Sequence, residues 1–459
     1  MTLDALTDAG LAALSDAAGD PTWLREQRRA ALARTRDQAW PDSRRDEFWR
    51  STPFSKRFDV HVPIVGAEAE RAEPAETPAS VVETLEVEAA LARVVDGRLV
   101  EVLLPVAMHA AGVIVTDLST AAREHEELVR PHLGALTTSG SGSGVDEDRT
   151  IGVSDAAWTA GVFIHVPAEV ELTAPISVHM HATASGAHLP RVLVVIGHHA
   201  SASVYLEHTS AGKGHPILVD EVVEIVAQDA ARVQVASLQE WGDEVAHLSL
   251  QKTAVYRDAE VTHLSVTTGG ATVRLRPEFD LLGPGGRVRP LGIYFADDGQ
   301  WFDLQPYVRH LAPRASSDVL FKGALQGRSR TVFRGNVFVH RDAVGTDTDE
   351  NNRTLILTEG ARADATPFLE IECSDITAGH GSATGQIDAR YLYYLQSRGI
   401  RRADALRLIV HGFFREVLSE IDLPGIETRA ADHIEREIAQ ADLDAITIDD
   451  AALRDREEE

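Results

Sequence analysis

Cysteine is almost missing from this chain: Cys373 is the single thiol in 459 residues. One thiol excludes an internal disulfide framework and any four-cysteine site, zinc or iron–sulfur, built from this chain alone. A cluster-binding role would have to borrow ligands from another chain. Basic residues are also scarce, with 44 Lys and Arg against 71 Asp and Glu and a formal net charge of −27. A field of that sign repels phosphate backbones and anionic bilayers, which disfavours nucleic acid and membrane surfaces as partners. No apolar run approaches the roughly 18–20 residues of a membrane helix. The opening Met1-Thr2-Leu3-Asp4 lacks the basic and apolar regions of a secretion signal, so a cytoplasmic location is expected, and a lone thiol fits a reducing compartment.

What remains is ordinary for a globular chain, 44% hydrophobic and 25% charged, and long enough for two or three domains. Residues 1–150 read as mostly helical. Leu11–Ala18 and Trp23–Arg36 carry helix formers around the start signal Asp20-Pro21. Leu91–Leu104 suggests a hairpin at Asp96-Gly97, and Ser119–Val129 a further helix. Gly66–Pro78 reads as a linker and Thr138–Val145 as a Ser/Gly loop. Residues 151–380 change to short apolar–polar alternations separated by turns. A small residue precedes a valine-led strand at Ala200, Ala230 and Ala259, a spacing of 30 and then 29 residues. Such a period suggests stacked β-coils, and a β-sandwich of similar strand spacing is the other reading. Residues 381–459 return to helix. Asp388 is a plausible N-cap, Gly399 a C-terminal stop, and Leu406, Ile409, Val410, Phe413 and Val417 form one stripe. An acidic tail follows.

Several residues could carry chemistry. His380 sits in a Gly-rich stretch read as a turn, where an imidazole could ligate iron or simply bond nearby backbone. Cys373 continues the alternation Leu369, Ile371 and reads as an inert core thiol. His179 and His181 share a strand face without an evident third ligand. His198, His199, His208 and His215 fit no standard spacing and read as surface. Gly283-Pro284-Gly285-Gly286 lacks the lysine and hydroxyl of a phosphate loop and reads as a turn, so nucleotide chemistry would need a partner. Asp347, Asp349 and Glu350 form the best acidic cluster, placed in a polar loop. They carry the alternative reading, a β-solenoid carbohydrate-active enzyme, which needs convergent carboxylates.

The stretch Pro367–Leu418, with Ala378-Gly379-His380-Gly381 and the sharp stop Ser397-Arg398-Gly399-Ile400, resembles the C-terminal signature of the SufB/SufD family of the SUF iron–sulfur cluster assembly system. Gly161–Pro167 with Ala174-Pro175-Ile176, Val308–Pro313 with Ser316–Gly323, Gly335, Asn351–Leu355 and Glu359–Ile371 are similar to it in order and spacing. Pro21–Leu24 and Arg45–Pro53 resemble the SufD branch. The resemblance implies a right-handed parallel β-helix between helical domains and a scaffold subunit without its own nucleotide-hydrolysis motif. The partners it implies are a SufB-like chain, with a homodimer in isolation, and a SufC-like ATPase docked on the C-terminal helices. A transient iron–sulfur cluster would be shared with the partner, with His380 as this chain's candidate ligand. Arg398, Gly399, Ile400 and Phe413 are the candidate docking residues. Many SufD members carry Cys-Ser before this histidine. Ala378 and Gly379 stand there instead, which leaves any ligand role to His380 alone.

Overall fold

A computed structural model describes residues 1–66, 77–138, 148–211, 216–440 and 446–449. Most of the expected linker, the Ser/Gly loop, His215 and the acidic tail from Asp450 onward lie outside the described residues.

The chain is mainly β, a solenoid of about 8 turns flanked by N-terminal and C-terminal helices. Two parallel sheets form its walls, a ten-stranded and a thirteen-stranded one. The register runs from coil to coil without slipping along Ser201, Arg232, Glu260, Arg287, Ser316 and Asp347. One corner of each coil turns through a left-handed residue: Glu169, His199, Ala230, Asp258, Gly285, Arg314 and Gly345 all have φ between 53° and 75°. Each of these donates its N–H to a carbonyl of the next coil, from Glu169 to His198 O at 2.8 Å through Gly345 to Asp375 O at 2.8 Å. The corner ladder satisfies backbone groups that a turn would otherwise leave bare, offsetting the strain of left-handed non-glycine residues.

This register corrects the small-residue repeat by one position. Ala200, Ala231 and Ala259 stack as a buried column, one residue past each corner. Ala230 is itself a corner. Gly285 is the corner within Gly283-Pro284-Gly285-Gly286, which is a turn as expected.

Inward positions are aliphatic through most of the coils, among them Val204, Val235, Val261 and Val288. Each sheet is also covered outside over part of its area, and the strands there are apolar on both faces. The N-terminal region lays Trp23, Leu24, Trp49, Phe54 and Phe58 over Phe163, Leu193, Val195 and Leu218 of the thirteen-stranded sheet. Arg191 ties it down from beneath, 2.5 Å from both Asp155 and Glu224. The expected hairpin, Ala90–Val95 with Arg98–Leu103, pairs in parallel with Ile176–Ala182 and extends the ten-stranded sheet at its N-terminal edge. The expected helix at 119–129 is two short ones, Leu118–Glu124 and Glu126–Val129.

The C-terminal helices Ala389–Ser397, Arg402–Leu418 and Ile426–Gln440 cover the ten-stranded sheet. Asp388 caps the first by accepting from Arg390 N at 2.8 Å, and Gly399 ends it at φ 85°. Within the second helix Leu406, Val410, Phe414 and Val417 are the buried stripe, while Ile409 and Phe413 are only partly buried. The deepest aromatic is thus Phe414 rather than Phe413.

Candidate functional site

The solenoid ends toward the C-terminus in an uncovered edge. Among the described residues, strand Ile376–Gly385 pairs on one side only, with Thr346–Ile356. Its outer row of N–H and C=O groups is a template for another strand. The short strands Arg362–Ala365 and Phe368–Ile371 end the opposite sheet in the same coil, with Phe368 and Ile371 exposed.

His380 lies in the middle of this edge strand and is exposed. The expected Gly-rich turn is therefore a strand. The segment Asp347–Glu350, expected as a polar loop, is likewise part of strand Thr346–Ile356. Alternation there separates the acidic cluster. Glu350 is 1% exposed and points inward, whereas Asp347 and Asp349 are exposed on the outer face. No convergence of carboxylates forms from these three, which removes the observation the carbohydrate-enzyme reading rested on.

Glu350 is the register partner of His380. In-register residues of parallel strands share a side, so His380 stands over Glu350 at the mouth of the interior. Neither carboxyl oxygen of Glu350 has a hydrogen bond among the described residues. Burial pushes the group up to about 8, with Asp349 adding to the effect. A Cβ at Gly335 would overlap this carboxyl, so glycine there keeps its space open. No sequence signal marks Glu350 beneath His380, because the pair is visible only once the register is known.

Cys373 is half-buried past the end of Phe368–Ile371, packed with Leu369 and Ile376 against Val337 and Val339. It is a packing thiol, though Ile371 does not share its environment. His179 and His181 are buried and both contact Thr209 Oγ1, at 2.9 and 2.8 Å. Arg93 lies 3.3 Å from His179 Nδ1. Burial, and then the Arg93 cation, push His179 down to about 3. A guanidinium beside the pair argues against a metal there. His198 and His199 are exposed as expected, but His208 is fully buried inside the solenoid.

Of the docking residues expected on the C-terminal helices, Arg398, Gly399 and Ile400 form the stop after the first helix, and Phe413 lies about three turns along the second. Arg398 is exposed, its guanidinium 5.0 Å from the Tyr394 ring. Ile400 and Phe413 are half-buried against the helical core, and Lys322 donates to Phe413 O at 2.9 Å. Tyr391, Tyr393 and Tyr394 are all more than half exposed on one short helix. Exposed tyrosines beside an arginine have the composition of a protein interface. Among the described residues, no helix is long and apolar enough to cross a membrane.

Comparison with known proteins agrees with this architecture. The chain is 38% identical over 310 residues to an iron–sulfur cluster assembly SufBD family protein of Mycobacterium leprae, covering 64% of this chain and 76% of the relative. It is 26% identical over 435 residues to the iron–sulfur cluster assembly protein SufD of Bacillus subtilis, covering 93% of this chain and 97% of the relative. A SufBD family protein of Staphylococcus epidermidis is 27% identical over 313 residues, covering 68% of this chain and 66% of the relative. Residues 15–178 match the SufBD protein N-terminal region. With residues 179–413 matching the SufBD core domain of SUF-system iron–sulfur cluster assembly, the chain belongs to the SufBD family.

Proposed function

We propose that this chain is a SufD-type scaffold subunit that pairs with a SufB-like chain through the open edge of its solenoid. The observation that carries the reading is a ten-residue strand, Ile376–Gly385, with one side free among the described residues and an exposed imidazole at its centre. Strand addition to such an edge joins two sheets by main-chain bonds and brings His380 into the seam. A neutral imidazole there can donate a nitrogen to iron of a cluster under assembly, the cluster being cargo rather than a resident group. The lone, half-buried Cys373 supplies no thiolate at that seam, so the partner must bring the remaining ligands. A second copy of this chain fills the same edge when the partner is missing.

The C-terminal helices supply the second surface. Arg398, Gly399, Ile400 and Phe413, with Tyr391, Tyr393 and Tyr394, dock a SufC-like ATPase, whose hydrolysis then moves the interface. The chain contributes rigidity, an edge and one ligand, and no catalysis of its own.

Anaerobic co-purification with SufB-like and SufC-like partners tests this. A stable complex forms, and His380→Ala lowers its iron and sulfide content while leaving assembly intact. A complex that loads equally well without His380 refutes the ligand role, and the absence of any complex refutes the scaffold reading.

A further inference from the structure

Inside the solenoid, well before its open edge, three ligand-type side chains converge from three strands. His208 lies on Ser201–Ser210, Glu221 on Ile217–Ala227 and His247 on Val245–Val255. All three are at most 1% exposed. One ligand atom from each lies within 4.8 Å of the others. His208 belongs to the ten-stranded sheet and the other two to the thirteen-stranded sheet, so the group spans the interior.

The hydrogen bonds fix what each atom presents. His208 Nδ1 lies 3.2 Å from Leu238 O, a pure acceptor, so Nδ1 carries the hydrogen. Its Nε2 then faces Glu221 Oε1 at 2.8 Å. A bare lone pair against a carboxylate is repulsive, so a cation must sit on Nε2, either a proton or a metal. Glu221 Oε2 accepts from Ser249 Oγ at 2.6 Å. An imidazole oriented by a backbone carbonyl and a carboxylate held by a hydroxyl are the supporting bonds of a metal site.

His247 separates the two cations. A proton on His208 satisfies the His208–Glu221 pair and leaves His247 outside it. His247 Nε2 is 3.5 Å from Glu221 Oε2, longer than a good hydrogen bond, and neither ring nitrogen has a hydrogen bond among the described residues. A buried imidazole aimed at a carboxylate without bonding it is costly. A metal with nitrogen and oxygen bonds of about 2.0–2.2 Å fits between such atoms and uses all three. Trp241 packs on both rings, 5.4 Å from His208 and 5.6 Å from His247, and closes the group in apolar surroundings.

We propose that His208, Glu221 and His247 bind a divalent transition-metal ion of the zinc class, which cross-links the two sheets across the solenoid interior. The donor set of two imidazoles and one carboxylate suits zinc or its neighbours in that series. Binding releases the Nε2 proton of His208 and leaves one coordination position for a small ligand. The site is separate from His380 and independent of the scaffold reading.

The test uses the full chain, stripped with a chelator and titrated with cobalt(II) as a spectroscopic stand-in. One cobalt per chain should bind with tetrahedral ligand-field bands and raise the thermal midpoint. Glu221→Gln, which keeps shape, and His247→Phe, which keeps the contact with Trp241, should each weaken binding more than about tenfold with an unchanged circular dichroism spectrum. His380→Ala should bind like the parent. A folded parent chain that binds no cobalt overturns the proposal, as does binding that persists in both variants or disappears in His380→Ala. If either interior variant fails to fold, the ligand-field spectrum of the cobalt-loaded parent decides, and octahedral rather than tetrahedral bands overturn the site.

Discussion

Replacing Glu350 by glutamine isolates the cost of its buried carboxyl. Burial lifts that carboxyl from 4.5 to about 8. Between those values the folded chain keeps a proton that the unfolded chain releases. The group is an acid whose folded value is raised, so stability is highest below the unfolded value and falls as pH rises. The slope is about 1.4 kcal/mol per pH unit, giving a loss of about 3 kcal/mol at pH 7 and about 5 kcal/mol above pH 8. These are ceilings, because any movement that lets water reach the carboxylate lowers the cost. Glutamine has no proton to lose. Its amide adds an offset that does not change with pH. Urea unfolding of both chains at a series of pH values measures the difference directly. The variant's advantage should grow from acid toward neutral pH and level off near pH 8. A difference that stays flat across that range refutes the reasoning. It would mean that Glu350 is solvated or finds a partner in solution.

Two further perturbations probe the coverings of the solenoid. Phe414→Ala should cost about 3–5 kcal/mol in denaturant unfolding, since the ring is fully buried between helix and sheet. The half-buried Phe413 should cost clearly less, and equal losses would place the stripe wrongly. Arg191→Met should cost about 3–5 kcal/mol near pH 7 by leaving Asp155 and Glu224 buried without their cation. A loss below about 1 kcal/mol would show that the buried ion pairs contribute nothing net.

The solenoid was legible because one coil resembles the next. A small residue before a valine-led strand recurs with the coil, and that recurrence marks the stacked column of Ala200, Ala231 and Ala259. It placed Ala230 wrongly because the column and the left-handed corner are neighbours, and alanine occupies both at that coil. The helix ends were legible through local chemistry, as at Asp388 and Gly399. Two strands were read as loop or turn. The stretch Asp347–Asn352 has no apolar alternation because its inward residues are Thr348, Glu350 and Asn352, and the β period cannot show in polar letters. Gly379-His380-Gly381 reads as a turn because glycine usually marks one, yet pairing with Thr346–Ile356 overrides that preference. The interior group of His208, Glu221 and His247 has no motif at all. Its members are 13 and 26 residues apart, and only the stacking of coils brings them together.

The composition of the last strand bears on why it remains open. A solenoid needs a cap at each end, and exposed edges are commonly blunted with lysine, proline or a bulge. Ile376–Gly385 has none of these. Its residues are Ile, Thr, Ala, Gly, His, Gly, Ser, Ala, Thr and Gly, small apart from Ile376 and His380. Small side chains let another backbone approach closely on either face. The low apolar content keeps such an edge from the indiscriminate pairing of a hydrophobic one. A net charge of −27 adds long-range repulsion between like copies. Those features together disfavour indiscriminate pairing, and any strand that pairs along the middle of this edge meets His380 as its one projecting polar ring.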